Sequence, residues 1–567
     1  MLEIAEDCKE YQVVRIRAEA GKQKRDTMEI SWELPCMDIF SSWSPLSGFH
    51  KDLLPVWAPA KVQSRIASGA PLLVLLNHKG ESRIMVALSE TRRPVEMTYG
   101  IREENACMVF SLTYSRIFWG GGGEYVTEIL IDRRSMKLVS AAKRAEQWWK
   151  GQGRFPAEVP PEAKLPAYST WYAWHQKFSE EELLGELAIA AEMGMHTVIV
   201  DDGWQTRDTA RGYAYCGDWK PAEDKIRNMR RFVSRAHQLG LKVMLWFAVP
   251  VMGKKAAVYP EFCKMYLADE GDWVALDPRC PAVRNYLLHL CKEAVERWEL
   301  DGLKLDFMDH FVLTQEGEDD TEDRDFDSLE DALECLMEEF RIQLQRIRKN
   351  VLVELRQGYM GPDLRKYGNI IRVTDCPLSA LRNRVEILHL RMTSGNTAVH
   401  SDMLMWNAAA SAQAAALQLI NSIFGIWQIS VRLKELPHEH KRMLQFYLGL
   451  WSEDRDCILN GELEVFHPEA NYSMVLTKKE TELFAVCYTE GILQLDTFYR
   501  KITYVNGSGE DVLTVHPLQS GFYTGKRAKI LIYSCTGELF LQKNEIWAAG
   551  YYEYPVPVSG VLRIYLE

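Results

Sequence analysis

Lys304 and Asp306 stand two positions apart within the short apolar stretch 301–307. Because the side chains of a strand alternate between its two faces, Lys304 and Asp306 would share one face, while Leu303 and Leu305 share the other. A lysine beside a carboxylate favours the ionised form of the acid, and an ionised acid can attack as a nucleophile. The alternative interpretation is a surface strand whose charges are solvated.

Carboxylates end several other apolar runs of the chain, namely Asp201 and Asp202, Glu354, Asp375 and Asp402. Tryptophans accompany them at Trp171, Trp174, Trp204, Trp219 and Trp246. The chain has neither the His and Cys spacing of a metal site nor the glycine-rich loop of a phosphate site. Carboxylates lined by aromatic rings therefore point to glycoside hydrolysis.

Hydrolysis of a glycosidic bond with retained configuration needs two carboxyl groups about 5–5.5 Å apart. We predict Asp306 as the nucleophile and Asp375 as the acid/base, with Asp402 as the reserve acid. Asp201, Asp202 and Lys304 would bind sugar hydroxyls, and Trp171, Trp174, Trp204 or Trp219 would stack on the ring. The indole of Trp246 can contact substrate or belong to the core.

The elements that must position these residues alternate between short strands and amphipathic helices from residue 167 onward. We predict eight strands, at 168–174, 196–202, 242–249, 302–307, 351–356, 370–375, 397–402 and 425–430. We predict helices between them at 180–193, 225–239, 281–298, 328–347 and 378–392. Eight such units close a TIM (β/α)8 barrel, whose reactive groups lie at the carboxyl ends of the strands.

Short alternating strands without helices flank this region on both sides. We therefore predict an α/β chain of four parts. These are an N-terminal β-sandwich at 1–150, a linker at 151–166, the catalytic barrel at 167–454 and a C-terminal β-sandwich at 455–567.

Composition excludes several classes of partner and cofactor. A net charge of -12 over 567 residues argues against nucleic acid, because phosphate binding needs excess Lys and Arg. The uncharged segment 403–431 contains too many polar groups for a membrane span. The twelve cysteines are scattered singly, and the amino terminus lacks the pattern of a signal peptide. We expect a cytoplasmic protein with reduced thiols that needs neither a metal nor an organic cofactor.

Five motifs, in this order and spacing, resemble glycoside hydrolase family 36, the α-galactosidase or melibiase family. They are WYAW at 171–174, VDDGWQ at 200–205, GDW at 217–219, GLKVMLW at 240–246 and KLD at 304–306. The resemblance implies the same barrel with β-domains at both ends. It also implies that Asp306 is the nucleophile and Asp375 the acid/base, that Asp201 and Asp202 hold the galactose 4- and 6-hydroxyls, and that Lys304 and Arg372 lie beside the catalytic carboxylates.

The chain departs from the family pattern after the fifth predicted strand. Many members have a cysteine and a glycine-rich run there, which reads the 2-hydroxyl, whereas this chain has Arg356 and Gln357. These two larger polar residues would bind the sugar near that position. A substrate with a 2-acetamido or acidic substituent in place of the 2-hydroxyl therefore stays an alternative. Arg356 could instead pair with Glu354 or Asp375.

The sequence therefore predicts a retaining exo-acting α-glycosidase, most simply an α-galactosidase acting on small or oligosaccharide α-galactosides. The alternatives are an α-N-acetylgalactosaminidase, a transglycosylase that makes raffinose-like oligosaccharides, and a catalytically inactive carbohydrate-binding protein. The resemblance also allows a homo-oligomer, because oligomers are common in the family.

Overall fold

The structure is a computed structural model that describes the chain except for residues 1, 9, 20–24, 119–123, 314–322, 490, 519 and 549. The chain divides into two compact units. The first unit comprises Met1–Leu187, His196–Thr374 and His389–Val399, and the second comprises Ala188–Met195, Asp375–Leu388 and His400–Glu567. The four-part division made from the sequence stays a prediction.

The N-terminal region of the first unit forms two antiparallel sheets. The larger sheet contains Leu2–Asp7, Tyr11–Glu19, Ser41–Ser44, Gly48–His50, Leu72–Leu76, Glu81–Leu88, Glu124–Asp132 and Met136–Lys137. The smaller sheet contains Arg25–Pro35, Ala60–Ser64, Val95–Arg102 and Cys107–Phe118. Their apolar side chains form one shared core, which includes Leu73, Val86 and Phe110. The helix Leu138–Gly151 follows, and Trp149 Nε1 donates to Leu88 O at 2.8 Å.

Eight strands form the closed barrel that the sequence predicts. They are Ala167–Ser169, Thr197–Val200, Lys242–Ala248, Gly302–Asp306, Leu352–Arg356, Ile370–Arg372, Ala398–Leu404 and Ile426–Ile429. Strands two to six pair in parallel, for example Leu245 with Leu303 and Lys304 with Glu354. The predicted fold class is confirmed.

The principal barrel helices are Glu180–Glu192, Met229–Gln238, Pro281–Arg297, Leu329–Ile347, Ala380–Thr393, Ala412–Asn421 and His438–Asn460. The second helix begins four residues later than predicted, because Asn228 caps it by accepting from Arg231 N at 3.0 Å. Among the described residues, no helix is both long and apolar enough to cross a membrane.

The first and sixth strands are shorter than predicted. The first ends at Ser169, and residues Trp171–Trp174, predicted as strand, form one helical turn instead. Thr170 already has helical torsion angles, with φ -83° and ψ -16°, so the chain leaves the extended conformation there. The sixth strand ends at Arg372, and Asp375 therefore lies in the following loop.

One insertion was not predicted from the sequence. After the third barrel strand, Val251–Gly253, Tyr266–Asp269 and Trp273–Leu276 form a small antiparallel sheet, with the short helix Tyr259–Phe262 between the first two strands. Its strands are three or four residues long, below the length at which alternation of apolar residues is detectable.

The C-terminal part of the second unit is again formed by β-sheets. A seven-stranded sheet contains Glu462–Phe466, Met474–Lys479, Glu482–Cys487, Lys501–Asn506, Arg527–Tyr533, Leu539–Ile546 and Val561–Leu566. A three-stranded sheet contains Ile492–Leu495, Leu513–Pro517 and Tyr552–Tyr554. Side chains of both sheets share one apolar core, which includes Tyr504, Val515 and Trp547. All twelve cysteines of the chain are free thiols.

Candidate active site

Asp306 is the last residue of the fourth barrel strand, and its side chain is only 10% exposed. Its Oδ2 accepts a hydrogen bond from Trp246 Nε1 at 3.0 Å, and its Oδ1 accepts from Phe307 N at 2.9 Å. Arg356 Nε lies 3.4 Å from the same Oδ1. Two hydrogen bonds and one ion pair thus hold the carboxylate in one orientation.

The electrostatic surroundings of Asp306 keep its carboxyl group ionised. Burial alone would raise its pKa, but the positive charges of Arg356, Lys304 and Arg372, together with the Trp246 hydrogen bond, outweigh burial and lower the pKa to about 2. A buried carboxylate that stays ionised and has a fixed orientation is suited to nucleophilic attack.

Lys304 points to the same side of the strand as Asp306, as predicted, and is buried. Its ammonium donates to Asp201 Oδ2 at the end of the second strand. Burial alone would lower the pKa of this lysine, but Asp201 and the other nearby carboxylates raise it above its usual value. Lys304 is therefore a permanent cation between two carboxylates, Asp201 and Asp306.

Asp202 faces two amide side chains rather than a cation. Gln176 Nε2 donates to its Oδ2 at 2.7 Å, and Gln205 Nε2 donates to its Oδ1 at 2.6 Å. Burial is the main reason that its pKa is raised to about 6, although the hydrogen bonds from the two glutamines act in the opposite direction. Asp201 and Asp202 are adjacent in sequence but differ in partners, so they can serve different purposes.

Arg356 ends the fifth strand and reaches toward the turn that follows Asp306. Its Nη2 donates to Asp309 Oδ1 at 3.1 Å, and the buried Tyr359 donates its hydroxyl to the same oxygen at 3.1 Å. The pKa of Arg356 is raised: burial opposes the rise, but Asp306, Tyr359 and Asp309 favour the cation. Glu354, one of the two alternative partners predicted for Arg356, has its Oε1 3.6 Å from Arg372 Nε.

Arg372 and Glu354 are almost fully buried, each with 1% of the side chain exposed. Arg372 Nη1 also donates to Val373 O at 2.9 Å. Arg372 therefore contributes its positive charge to the site from within the barrel wall. The side chain of Gln357, the other residue predicted near the 2-position, lies outside the described part of the structure.

Three of the predicted aromatic residues lie in the wall behind Asp306. Trp204 has no exposed surface, and its Nε1 donates to Trp246 O at 3.0 Å. Trp219 is 4% exposed and Trp246 is 2% exposed. The rings of Trp204 and Trp219 lie 6.1 Å apart, and those of Trp219 and Trp246 lie 5.8 Å apart. These three indoles pack against one another, and Trp246 orients the carboxylate of Asp306 through its hydrogen bond.

Trp171 and Trp174 lie on the helical turn after the first strand. Trp174 is buried, and its Nε1 donates to Tyr168 OH at 2.9 Å. Trp171 is half-buried, with the guanidinium carbon of Arg211 5.3 Å from its ring centre and the His175 ring 4.9 Å away. Of the five predicted tryptophans, Trp171 has the most accessible ring.

Asp375 and Asp402 belong to the second unit. Asp375 is exposed, whereas Asp402 is completely buried in the seventh strand. Asp402 Oδ2 accepts from Cys376 N at 2.7 Å, and Asp402 N donates to Asn383 Oδ1 at 3.1 Å. Asp402 therefore anchors the backbone directly after Asp375, while Asp375 has the accessibility that a proton donor to substrate needs.

Several site residues were missed in the sequence, chiefly because they lie in loops rather than at strand ends. They are Gln176 and Gln205 around Asp202, Asp309 and Tyr359 around Arg356, and Tyr213. Tyr213 is half-buried, and its ring centre lies 4.9 Å from that of Phe307. Only Gln205, within the VDDGWQ motif, had a detectable sequence signal.

A family model described as glycosyl hydrolase-like 10 matches residues 216–331, a segment that contains Trp219, Trp246, Lys304 and Asp306. Alpha-galactosidase Mel36A of Lactobacillus acidophilus is 28% identical over 129 residues, which are 22% of this chain and 17% of the relative. Alpha-galactosidase AgaA of Geobacillus stearothermophilus is 30% identical over 100 residues, which are 17% of this chain and 13% of the relative. The chain thus matches less than a fifth of the length of these two curated relatives.

The fold has a wider likeness among solved structures. A variant of the Geobacillus stearothermophilus GH36 alpha-galactosidase AgaA, solved in complex with raffinose, matches with a TM-score of 0.64 at 13% identity. The match covers 98% of this chain and 80% of that one. Together with the curated relatives, it confirms the resemblance to glycoside hydrolase family 36.

Proposed function

We propose that this chain, similar to glycoside hydrolase family 36 in sequence motifs and fold, is a retaining exo-acting α-galactosidase. The observation that carries the proposal is Asp306, a buried carboxylate at the carboxyl end of a barrel strand with a pKa lowered to about 2. A second observation supports it: the AgaA variant, which has a similar fold, was solved in complex with raffinose.

The proposed reaction has two steps. Asp306 attacks the anomeric carbon while Asp375 gives a proton to the leaving glycosidic oxygen, so that a glycosyl-enzyme ester forms and the aglycone leaves. Asp375 then removes a proton from water, the water oxygen attacks the same carbon, and the ester bond to Asp306 breaks. Two inversions at one carbon release the sugar with its original configuration.

The remaining polar residues bind and orient the sugar in this proposal. Lys304 and Asp201 form one hydrogen-bonded pair and Asp202 is a separate acceptor, and these groups bind sugar hydroxyls. Arg356 binds the sugar near the 2-position in this proposal, because it contacts the same carboxylate that attacks carbon 1, and Gln357 is proposed beside it from the sequence alone. Arg372 supplies charge, and Asp402 positions the loop of Asp375.

The aromatic residues divide into two groups in the proposal. Trp171, the most accessible of the five tryptophans, stacks on a sugar ring at the rim of the site. Trp246 orients Asp306 through its indole N–H, while Trp174, Trp204 and Trp219 support the wall.

The decisive experiment compares hydrolysis of aryl α-galactoside, aryl α-N-acetylgalactosaminide and aryl α-glucoside by the wild type and by Asp306→Ala. We expect the α-galactoside to be preferred and kcat/KM to fall at least about 10³-fold in the variant, with the fold intact. Proton NMR of the first-formed sugar should show the α-anomer. Asp52→Asn, an exposed position in the N-terminal region, is the control and should retain activity.

The same panel tests the alternatives. Preference for the acetamido substrate would identify an α-N-acetylgalactosaminidase. In that case the guanidinium of Arg356, which lies against Asp306, would contact the 2-acetamido group. Oligosaccharide products that appear only when an acceptor sugar is added would identify a transglycosylase. Sugar binding without turnover of any substrate would contradict the proposal and identify a carbohydrate-binding protein.

We also propose a cytoplasmic location and the four-part division given above. The twelve free thiols support the location, because they suit a reducing compartment. The substrate is a small or oligosaccharide α-galactoside, and a homo-oligomer is compatible with the proposal.

A further inference from the structure

Asp309 lies three residues after Asp306 and joins Arg356, the last residue of the fifth strand, to Tyr359 in the turn that follows. Arg356 Nη2 and the hydroxyl of Tyr359 both donate to Asp309 Oδ1, each at 3.1 Å. The Nε of the same guanidinium lies 3.4 Å from Asp306 Oδ1. The carboxylate of Asp309 therefore fixes the direction in which Arg356 faces Asp306.

The turn that carries Asp309 has a strained backbone. Phe307 has a φ of 64°, in the left-handed region that a bulky side chain rarely adopts, and the helical turn Met308–His310 follows at once. A residue in this conformation costs about 1–3 kcal/mol and persists only where its surroundings hold it. Arg65 supplies one such contact, because its Nη2 donates to Asp309 O at 2.8 Å.

Arg65 belongs to the N-terminal β-region, in a tight loop at residues 65–69. Arg65 N donates to Ser68 O at 2.9 Å, and Ser68 N donates to Arg65 O at 3.1 Å. Gly69 N donates to Gly358 O at 2.8 Å, in the turn that carries Tyr359 and directly follows Arg356. The loop thus contacts the turn after the fourth strand and the turn after the fifth.

Gly69 needs to be glycine in this loop. Its φ of +71° is left-handed, and a Cβ there would lie 2.4 Å from Gln63 O. The close approach of the loop to the Gly358 carbonyl therefore depends on a backbone without a side chain. Both ends of the loop, Arg65 and Gly69, are set up to contact the barrel turns.

We propose that the N-terminal β-region positions the nucleophile: Arg65 holds Asp309, Asp309 holds Arg356, and Arg356 holds the carboxylate of Asp306. Arg65, Asp309 and Tyr359 are positioning residues, since they act on Asp306 through Arg356. The role of Asp306 as nucleophile rests on the proposed function, whereas the chain of contacts is observed in the structure.

A substitution at Arg65 leaves the side chains that act electrostatically on Asp306 present in the chain. The groups with the largest electrostatic effects on it, or affected by it, include Arg356, Lys304, Arg372, Tyr213 and Tyr359. Of these groups, Arg356 and Tyr359 donate to Asp309, and Arg356 also lies against Asp306, so we expect loss of Arg65 to act on Asp306 through the position of Arg356.

The test is the pH profile of kcat/KM for Arg65→Ala and Arg65→Lys. Loss of the contact to Asp309 lets Arg356 move away from Asp306, so the ionised carboxylate is less stabilised. The acidic limb that belongs to Asp306, at lower pH than the titration of Asp202, therefore moves to higher pH. We expect a shift of at least about half a pH unit in Arg65→Ala and a smaller one in Arg65→Lys. Arg102→Ala, an exposed arginine of the same β-region that pairs with Glu33, is the matched control.

A lower melting temperature with an unchanged acidic limb in Arg65→Ala would overturn the proposal, because it would show a purely structural contact. If Arg65→Ala does not fold, Tyr359→Phe decides in its place. That substitution removes the other donor to Asp309 Oδ1 and keeps the ring. It should move the limb in the same direction, and an unchanged limb would count against the chain of contacts.

A second readout does not depend on turnover. In protein labelled with 5-fluorotryptophan, the fluorine signal of Trp246, assigned with Trp246→Phe, reports the charge of Asp306 through their hydrogen bond. Its titration should move to higher pH in Arg65→Ala, with Arg356→Leu as the reference for a complete loss. If this titration moves but the wild type hydrolyses no substrate of the panel, the proposed chain of contacts is supported and the α-galactosidase activity is rejected. If the titration does not move, only the chain of contacts is rejected.

Discussion

At the residue scale, the site contains two aspartates with opposite electrostatic surroundings. Asp306 has the cations Arg356, Lys304 and Arg372 around it, and its pKa is lowered to about 2. Asp202 has two glutamines as its hydrogen-bond partners, and burial raises its pKa to about 6. Two carboxyl groups whose pKa values are separated in this way are typical of sites where acids have different roles.

The raised pKa of Asp202 predicts a pH-dependent loss of stability. The folded protein binds this proton more tightly than the unfolded chain does, so stability falls as pH rises from about 4 to about 6. At about 1.4 kcal/mol per pKa unit, the loss is on the order of 3 kcal/mol.

Asp202→Asn should remove this contribution. The free energy of unfolding should therefore fall less in the variant than in wild type between pH 4.5 and pH 7. Urea unfolding at both pH values measures this difference. Asp52→Asn is exposed and should follow the wild type. Parallel pH dependences for Asp202→Asn and wild type would contradict the prediction.

At the element scale, the turn after the second strand depends on one glycine. Gly203 has a φ of +114°, and a Cβ there would lie 2.7 Å from Gln176 Cα. Gly203 N donates to Gln205 Oε1 at 2.9 Å, and Lys225 Nζ donates to Gly203 O at 2.8 Å. The turn thereby brings Gln176 and Gln205 to the two oxygens of Asp202.

Gly203→Ala should displace this turn and both of its glutamine contacts. We expect a loss of about 1–3 kcal/mol in stability and at least about a tenfold loss in kcat/KM, because misplacement of a binding group slows the reaction. Gly212→Ala, nine residues later, is the control, since a Cβ there meets open space. Equal activities of the two variants would show that the turn does not position the site.

At the scale of the whole molecule, a buried histidine joins the N-terminal β-region to a barrel helix within the first unit. The rings of His389 and Trp43 lie 5.5 Å apart at 85°, and a Cβ on Gly48 would lie 2.7 Å from His389 Cε1. Burial lowers the pKa of His389 to about 3. The buried imidazole is therefore neutral in the folded protein at any pH well above 3.

This histidine predicts sensitivity to acid. The unfolded chain takes up the proton at its ordinary pKa near 6.5, whereas the folded protein does so only near 3, so stability is lost as pH falls below about 6.5. The slope approaches about 1.4 kcal/mol per pH unit. His389→Asn should flatten the decline in melting temperature between pH 6.5 and pH 4, and the exposed His289→Asn should not. A decline as steep as that of wild type in His389→Asn would refute this.

Much of the architecture followed from the sequence, because eight buried parallel strands require eight apolar runs with helices between them. All eight runs proved to be barrel strands, although the first is shorter and is followed by a helical turn at Trp171–Trp174. The small sheet that begins at Val251–Gly253 was missed, since its strands are too short to show periodicity.

The sequence by itself determined the barrel, the positions of Asp306 and Lys304 on one face of its fourth strand, and the acids that end its neighbours. Local alternation of side chains is sufficient for that. Only the tertiary structure decided what surrounds each acid, namely Arg356 beside Asp306, glutamines around Asp202, and Arg65 behind Asp309. These partners come from loops distant in sequence, and a pKa depends on charges and burial in space, which no local pattern encodes.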